Sequence, residues 1–356
     1  MPIHNLTELG WSQFFQSQIP FDGLDSQYPF RVVSVQRNLI KCLGFDADRQ
    51  ATQIPLSTYH WRNDPPEEHP TIGDWVLLDA AHQPLTRLNR KSLIKRRGAG
   101  RESLVQLIAA NIDTAFIVTS CNEEFSINRI ERYLAIAAES GIHPVVVLTK
   151  IDLCPDTSPY LDALVQAQPG LSVETVNATD ALGLAVLRPW IGPGDTVALL
   201  GSSGVGKSTL INGLMGQSDQ ATSSIREADS KGRHTTTSRS LHLLPDGGLL
   251  IDNPGMRELQ ISDSETGLSA TFADIEALAR QCRFGDCRHG SEPGCAVIAA
   301  IETGQLEQRR LDNYLKLQSE QARNSASLAE RRSSDRALGR FYKQALKSSK
   351  RFKSRE

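Results

Sequence analysis

No stretch of eighteen apolar residues occurs anywhere in the 356-residue chain, which excludes a helix crossing a membrane. The opening MPIHNLTELGWSQFFQSQ lacks both a basic start and an apolar core, so the sequence predicts no secretory signal and no membrane partner. A reducing, cytoplasmic compartment is the expectation. Charge of one sign is also missing. Against 41 Asp and Glu stand 39 Lys and Arg, which with 39% hydrophobic residues describes an ordinary soluble chain. The length exceeds one core and predicts two or three domains. Cysteine is sparse, with Cys42, Cys121 and Cys154 scattered. The other three, Cys282, Cys287 and Cys295, cluster, which in a reducing setting points to metal rather than disulfide.

The near-neutral total hides an asymmetry. From Glu330 to Glu356 there are ten Lys or Arg and three Asp or Glu. A basic tail on an acidic body suggests a polyanionic partner. Within it Arg332, Arg336, Arg340, Lys343, Lys347 and Arg351 recur every three or four residues. On a helix they would form one stripe able to track phosphates, whereas a frayed, solvated end is the blander reading.

Residues 1–27 read as a lead-in. From 28 to 100, short strand patterns such as FRVVSVQ, LIKCLGF and TIGDWVLLD, separated by turns, predict a five-stranded barrel of the OB type. Strand spacing alone does not separate this from an SH3-like barrel. Seven basic residues fall between Arg87 and Arg101, as a phosphate contact or a solvated hinge. From Asn111 the pattern becomes alternating strands and helices: TAFIVTS, PVVVLTK, SVETVNA, TVALLG, SLHLLP and GLLIDNPG with helices between. That predicts a mostly parallel sheet with helices on both faces and a ligand at the carboxyl ends of the strands. A central α/β unit over 101–265 and a mostly helical unit with the cysteine cluster over 266–356 complete the expected division.

Gly201, Ser202, Ser203, Gly204, Val205, Gly206, Lys207, Ser208 and Thr209 spell GSSGVGKST between a strand and a helix. The glycines let backbone N–H groups curl around phosphate oxygens at the positive helix end. Lys207 is expected to reach the β- and γ-phosphates and Ser208 to hold Mg²⁺. About fifty residues on, a strand ends in Asp252-x-x-Gly255, where a carboxylate suits Mg²⁺ or its water and a glycine amide suits the γ-phosphate. Between them lies SKGRHTTTSRS. Its threonines 235 to 237 are candidates to close over Mg²⁺, and Thr236 is taken as the representative.

VVVLTKID, with Thr149, Lys150 and Asp152, resembles a guanine-reading segment, yet it precedes the phosphate loop. Asp152 can accept from guanine N1 and N2 together while the Lys150 stem covers the ring. After the next strand, Asn177 and Ala178 follow, and the Ala178 N–H can donate to guanine O6. Both motifs are genuine if the domain is circularly permuted, because motif order belongs to the chain while the site belongs to space.

The order TKID, NA, GSSGVGKST, GRHTTT, DNPG, with a small barrel before and a cysteine cluster after, resembles the ribosome small-subunit-dependent GTPase A family. The resemblance covers nearly the whole chain. It implies an N-terminal OB barrel, a circularly permuted GTPase domain and a C-terminal zinc domain. It also implies GTP hydrolysis to GDP stimulated by the 30S subunit in its late maturation, contact with 16S rRNA, and a monomer.

Two departures from ordinary GTPases carry expectations. Thr149 stands where Asn is usual, so the loss of an amide brace on the phosphate loop predicts weaker guanine affinity. Met256 follows Gly255 where many GTPases carry Gln, and a thioether cannot orient water. Slow intrinsic hydrolysis follows, with His234 as the candidate to replace that function unless it is a plain surface histidine, and with a partner that orders the loop or donates the group as the alternative. Cys282-x4-Cys287-x-His289-x5-Cys295 supplies three thiolates and an imidazole, a closed set suited to one structural zinc. Arg280, Arg283 and Arg288 make that knuckle basic and suited to RNA. Two rivals remain: an RNA-binding protein with nucleotide as a structural or regulatory ligand, and a small-molecule kinase. The guanine pocket argues against the second.

Overall fold

The computed structural model describes residues 3–23, 26–36, 38–97, 105–216, 239–253, 259, 265–290 and 292–325. His234, Thr236, Gly255, Met256 and the basic stripe of the tail lie outside the described residues. A short helix α1 (Gln13–Gln16) leads in. Five antiparallel strands follow: β1 (Tyr28–Val35), β2 (Leu39–Phe45), β3 (Ala51–Ser57), β4 (Trp75–Leu78) and β5 (Pro84–Arg87). Alternation in β2 buries Ile40 and Cys42 while the residues between and beside them are half-buried, a period-two pattern. Ile40 and Cys42 join Phe30, Val32, Ile54 and Trp61 in a separate small core.

A hairpin of β6 (Leu93–Arg97) and β7 (Val105–Ala110) stands apart as its own two-stranded sheet. The strand-helix pattern read from Asn111 onward does not include β7. VQLIAA ends in four buried residues and so lacks the alternation that marks a half-wet strand.

The α/β unit comprises β8 (Thr114–Ser120), α2 (Ile127–Glu139), β9 (His143–Thr149), α3 (Ser158–Ala167), β10 (Val173–Val176), α4 (Ala181–Leu184), β11 (Thr196–Leu200), α5 (Lys207–Leu214), β12 (Arg239–Leu243) and β13 (Leu249–Asp252). Its strand order is β10-β9-β8-β11-β13-β12, parallel except for β12. Both faces are covered, so the strands read as continuous apolar runs. In β8, Ala115 and Ile117 pack toward α2, while Phe116 and Val118 pack toward α5. The β12 strand also pairs with β1, at Ser34–Ser240 and Val35–Arg239. Barrel and α/β sheet therefore share one hydrogen-bonded path.

Arg31 of β1 secures that junction. Fully buried, it donates to the carbonyls of Leu9, Gly73 (3.3 Å) and Asn111 (3.1 Å) and to the hydroxyl of Thr196 (2.8 Å). Burial pushes its pKa down to about 10 against the opposing pull of Asp113 and Asp74, so it stays charged at neutral pH.

Helices α6 (Glu265–Thr271), α7 (Ala273–Ala279), α8 (Ala296–Glu302) and α9 (Gln308–Ser325) pack onto α2 and its face of the sheet. Gly267 of α6 lies so close to α2 that a Cβ there would sit 2.1 Å from the Ala135 carbonyl oxygen. A buried ionic cluster completes the docking. Glu131 of α2, 1% exposed, accepts from Arg309, Arg310 (2.8 Å) and Asn313 of α9. Arg132 pairs with both oxygens of Glu320 at 2.7 Å. Arg310 also reaches both oxygens of Asp274, at 2.8 and 2.9 Å. Desolvation pushes the Asp274 carboxyl up, but the hydrogen bonds and charge of Arg310 outweigh it and hold it below the ordinary value. A depressed folded pKa gives stability that is present above the unfolded value of about 3.9 and lost as pH falls through the folded one. Thermal midpoints recorded from pH 5 down to 3 should fall more steeply for the native chain than for Asp274→Asn.

Candidate functional site

The carboxyl ends of β8, β9, β10, β11 and β13 lie along one edge of the sheet. Strand register aligns Ser120 with Thr149 and Thr149 with Val176, and Leu200 with Ile117 across β8–β11. Each motif begins where its strand ends, so segments far apart in the chain become neighbours.

The phosphate loop leaves β11 at Gly201, whose φ is +148°. A Cβ there would meet the Val118 carbonyl oxygen at 2.4 Å. Only glycine allows that approach. Val205, 1% exposed, anchors the loop in the apolar layer below it. Ser203 and Gly204 are exposed at its crest, and Ser202 is half-buried. Gly206 caps α5 in the left-handed conformation, which lets the loop turn directly into the helix. The Lys207 ammonium folds back to the carbonyls of Gly201 (2.7 Å) and Ser202. Ser208 is exposed at the first turn of α5, with Thr209 half-buried beside it.

Two contacts join the guanine-type segment to this loop. The Thr149 hydroxyl, fully buried, lies 2.7 Å from the Val205 carbonyl oxygen and 3.0 Å from that of Thr119. Lys150, in the left-handed conformation at φ +59°, brings its Nζ to 2.7 Å from the Gly204 carbonyl oxygen. The expectation that threonine loses the brace on the phosphate loop is corrected here. The shorter side chain still reaches the loop because β9 ends directly beneath Val205, and a hydroxyl donates as an amide would. The Thr149→Val variant keeps the shape but removes the donor, leaving the buried Val205 carbonyl without it, a loss of about 1–3 kcal/mol. Guanine-nucleotide affinity measured by titration should fall, by about fivefold to a hundredfold if that loss falls on the loaded state.

Asp152 is exposed on a single 3₁₀ turn, Ile151–Leu153. Asn177 accepts from the Thr179 N–H (3.0 Å) and hydroxyl (2.7 Å), a local turn that holds Ala178 at the end of β10. Asp180 then caps α4. These positions suit the reading of a base edge by a carboxylate and a backbone N–H.

On the phosphate side, Lys207, Ser208, Asn212, Asp252 and Asn253 line a cleft of about 80 Å³ between α5 and β13. Asp252 and Ser208 thus face one space, as the sequence reading required for a cation. Two residues were missed. Asn212 follows Ser208 by one helical turn, and Asn253 donates to the Ile108 carbonyl (2.8 Å) from a buried position. The signal for Asn212 was a polar residue set among the apolar residues of LINGL.

In the C-terminal region the four metal-type side chains converge, with their ligand atoms all within 4.8 Å of one another. The Cys282–Cys295 sulfur separation is 3.8 Å, and His289 Nδ1 lies 3.7 Å from Cys282 Sγ and 3.5 Å from Cys295 Sγ. Tetrahedral zinc with Zn–S near 2.3 Å and Zn–N near 2.05 Å requires edges of about 3.8 Å and about 3.5 Å. The donor set and spacing therefore fit zinc. Cys287 completes it, and His289 reaches inward from a left-handed backbone at φ +56°. Arg280, Arg283, Arg288 and Phe284 are exposed around the cluster, with Arg283 over the Phe284 ring at 5.5 Å.

Comparison with known proteins gives these sites a context. A model of the RsgA GTPase family matches residues 87–262. Small ribosomal subunit biogenesis GTPase RsgA 2 of Vibrio parahaemolyticus is 50% identical over 341 residues, covering 96% of this chain and 92% of that protein. Small ribosomal subunit biogenesis GTPase RsgA of Mesorhizobium japonicum is 45% identical over 326 residues, covering 90% and 91%. Among solved structures, YloQ, described as a circularly permuted GTPase, matches with a TM-score of 0.58 at 25% identity over 85% of this chain and 97% of that one. YjeQ from Thermotoga maritima shares the fold, with a TM-score of 0.58 at 24% identity over 82% and 97%. A chain so similar to these relatives, folded so that a late phosphate-type loop lies against an early guanine-type segment, belongs to the RsgA GTPase family.

Proposed function

We propose that this chain hydrolyses GTP to GDP and phosphate in the course of small ribosomal subunit maturation, and that the 30S subunit accelerates the reaction. One observation carries the reading: Thr149 and Lys150 lie on Val205 and Gly204, so a guanine-type segment and a phosphate-type loop are held against each other. In this reading Asp152, Lys150 and the Ala178 N–H hold the base, and the loop amides with Lys207 hold the phosphates. Ser208 and Asp252 hold Mg²⁺, which when bound neutralises charge developing on the phosphates. From the sequence, one of Thr235 to Thr237, with Thr236 between them, closes the cation site, the Gly255 amide meets the γ-phosphate, and His234 or a group donated by the partner orients water in place of the residue that Met256 displaces. Cys282, Cys287, His289 and Cys295 hold one structural zinc.

The exposed Arg280, Arg283 and Arg288, with Phe284 as a stacking surface, and the basic tail suit 16S rRNA. A monomer working in the cytoplasm fits this role. The segment after Asp252 runs into α6, which is docked on α2, so loss of the γ-phosphate can be relayed to the zinc region and change its hold on RNA.

Steady-state phosphate release from GTP and ATP, with and without 30S subunits and with 50S subunits as control, tests the proposal. Slow GTP turnover raised specifically by 30S is the expected result. Guanine-nucleotide binding without turnover under every condition would replace it with an RNA-binding role in which nucleotide is a regulatory ligand.

A further inference from the structure

The cleft between α5 and β13 brings a group that no motif accounts for, Asn212, beside one that a motif does, Asp252. Asn212 is 7% exposed, and its Nδ2 is fully buried with no hydrogen-bond partner. Across the same cleft, Asp252 ends β13 half-buried, and among the described residues no hydrogen bond reaches its carboxylate. Ser208 lines that cleft one helical turn before Asn212, on the same face of α5.

A buried donor without a partner destabilises the fold. Its neighbours on the helix are an exception to this expense: Leu210 is fully buried and apolar, and Ile211 packs against the same core. A leucine at 212 would fill similar volume without an amide to desolvate. The position of the amide makes sense if it acquires a partner when the cleft is filled. Its space, about 80 Å³, admits a small cation with water. Asp252 is the acceptor at hand. Water bound to a divalent cation donates its protons, so the carboxylate must present one oxygen to that water and needs its other oxygen fixed.

We propose that Asn212 is a positioning residue for the divalent cation. Its amide donates to the Asp252 carboxylate, directly or through one water, and fixes the oxygen that receives the cation's water while Ser208 binds from the first turn. This rests on the nucleotide reading given above. Partners that orient a metal's own ligands typically change metal affinity by about ten- to a hundredfold. Asn212 touches neither base nor phosphate in this arrangement, so nucleotide held without the cation should not depend on it.

The test uses the full chain, a fluorescent GDP analogue and a Mg²⁺ titration. In Asn212→Leu and Asn212→Ser the Mg²⁺ concentration giving half-maximal slowing of analogue release should rise tenfold or more. Release in EDTA should match the native chain. The thermal midpoint without nucleotide should be unchanged or higher for Asn212→Leu, because an unsatisfied donor has been removed. A merely structural amide predicts the reverse: a lower midpoint in both variants with an unchanged Mg²⁺ half-point. That result overturns the proposal, as does faster release in EDTA. Should the native chain bind no guanine nucleotide at all, the nucleotide reading itself fails, an outcome visible before any variant is made.

Discussion

Lys207→Ala is expected to lower GTP turnover by about a hundredfold or more, the scale set by removing one charge-stabilising donor from a phosphoryl or acyl transfer site. The ammonium sits at the start of α5 and folds onto the Gly201 and Ser202 carbonyls, within reach of anything the loop amides hold. Arginine should not rescue the variant. Its planar, forked guanidinium cannot act as a compact point charge. Stability should fall far less than turnover. A cation in the first turn of a helix opposes the helix dipole, but the charge-assisted hydrogen bonds to the Gly201 and Ser202 carbonyls are lost as well, so the alanine chain without nucleotide should melt slightly lower. Single-turnover phosphate release paired with a thermal scan separates the two effects. Turnover within threefold of native would remove Lys207 from the site.

Glu131→Ala carries the largest expected cost in stability, about 3–5 kcal/mol, because it leaves Arg310 charged and buried with part of its pairing gone. Glu131 is 1% exposed and gathers Arg309, Arg310 and Asn313 from α9. Asp274 keeps Arg310 partly satisfied. For that reason α9 should leave α2 before the sheet unfolds. Urea unfolding followed alongside limited proteolysis would show early release of the C-terminal helices. A control is at hand in Glu124, whose pair with Arg129 is exposed on both sides. Its removal should cost no more than about 1 kcal/mol. Equal effects from Glu124 and Glu131 would mean that the buried cluster does not hold the C-terminal region.

The parts legible in the sequence are those in which chemistry demands particular residue types at short spacing. Gly201 through Thr209 announce a phosphate loop because backbone approach needs glycine and charge needs lysine. The four metal-type residues do the same within fourteen positions. Permutation was legible too, since both motifs stand at strand ends whichever comes first. Other features were not. Pairing of β1 with β12 uses backbone groups alone, so no side-chain pattern encodes it. Glu131 sits in NRIERYL and reads as one more charge on a wet helix face until α9 covers it. The brace from Thr149 depends on where β9 ends beneath Val205, a matter of fractions of an ångström that residue type does not carry.

The joint between β1 and β12 also fixes a schedule for the newborn chain. Ser34 leaves the translating ribosome more than two hundred residues before its partner Ser240. At about 5–20 residues per second, that edge of the barrel stays open for roughly ten seconds or longer. Thr196, which receives the buried Arg31, is also far downstream. Meanwhile β8, β9 and β10 can pair as soon as they emerge, and the strand bearing the phosphate loop must then dock between β8 and the still later β13. An unpaired edge is a template for wrong partners, so refolding from urea should be slow and prone to aggregation. The cell has a reason to shield this chain until its last sheet strand has arrived.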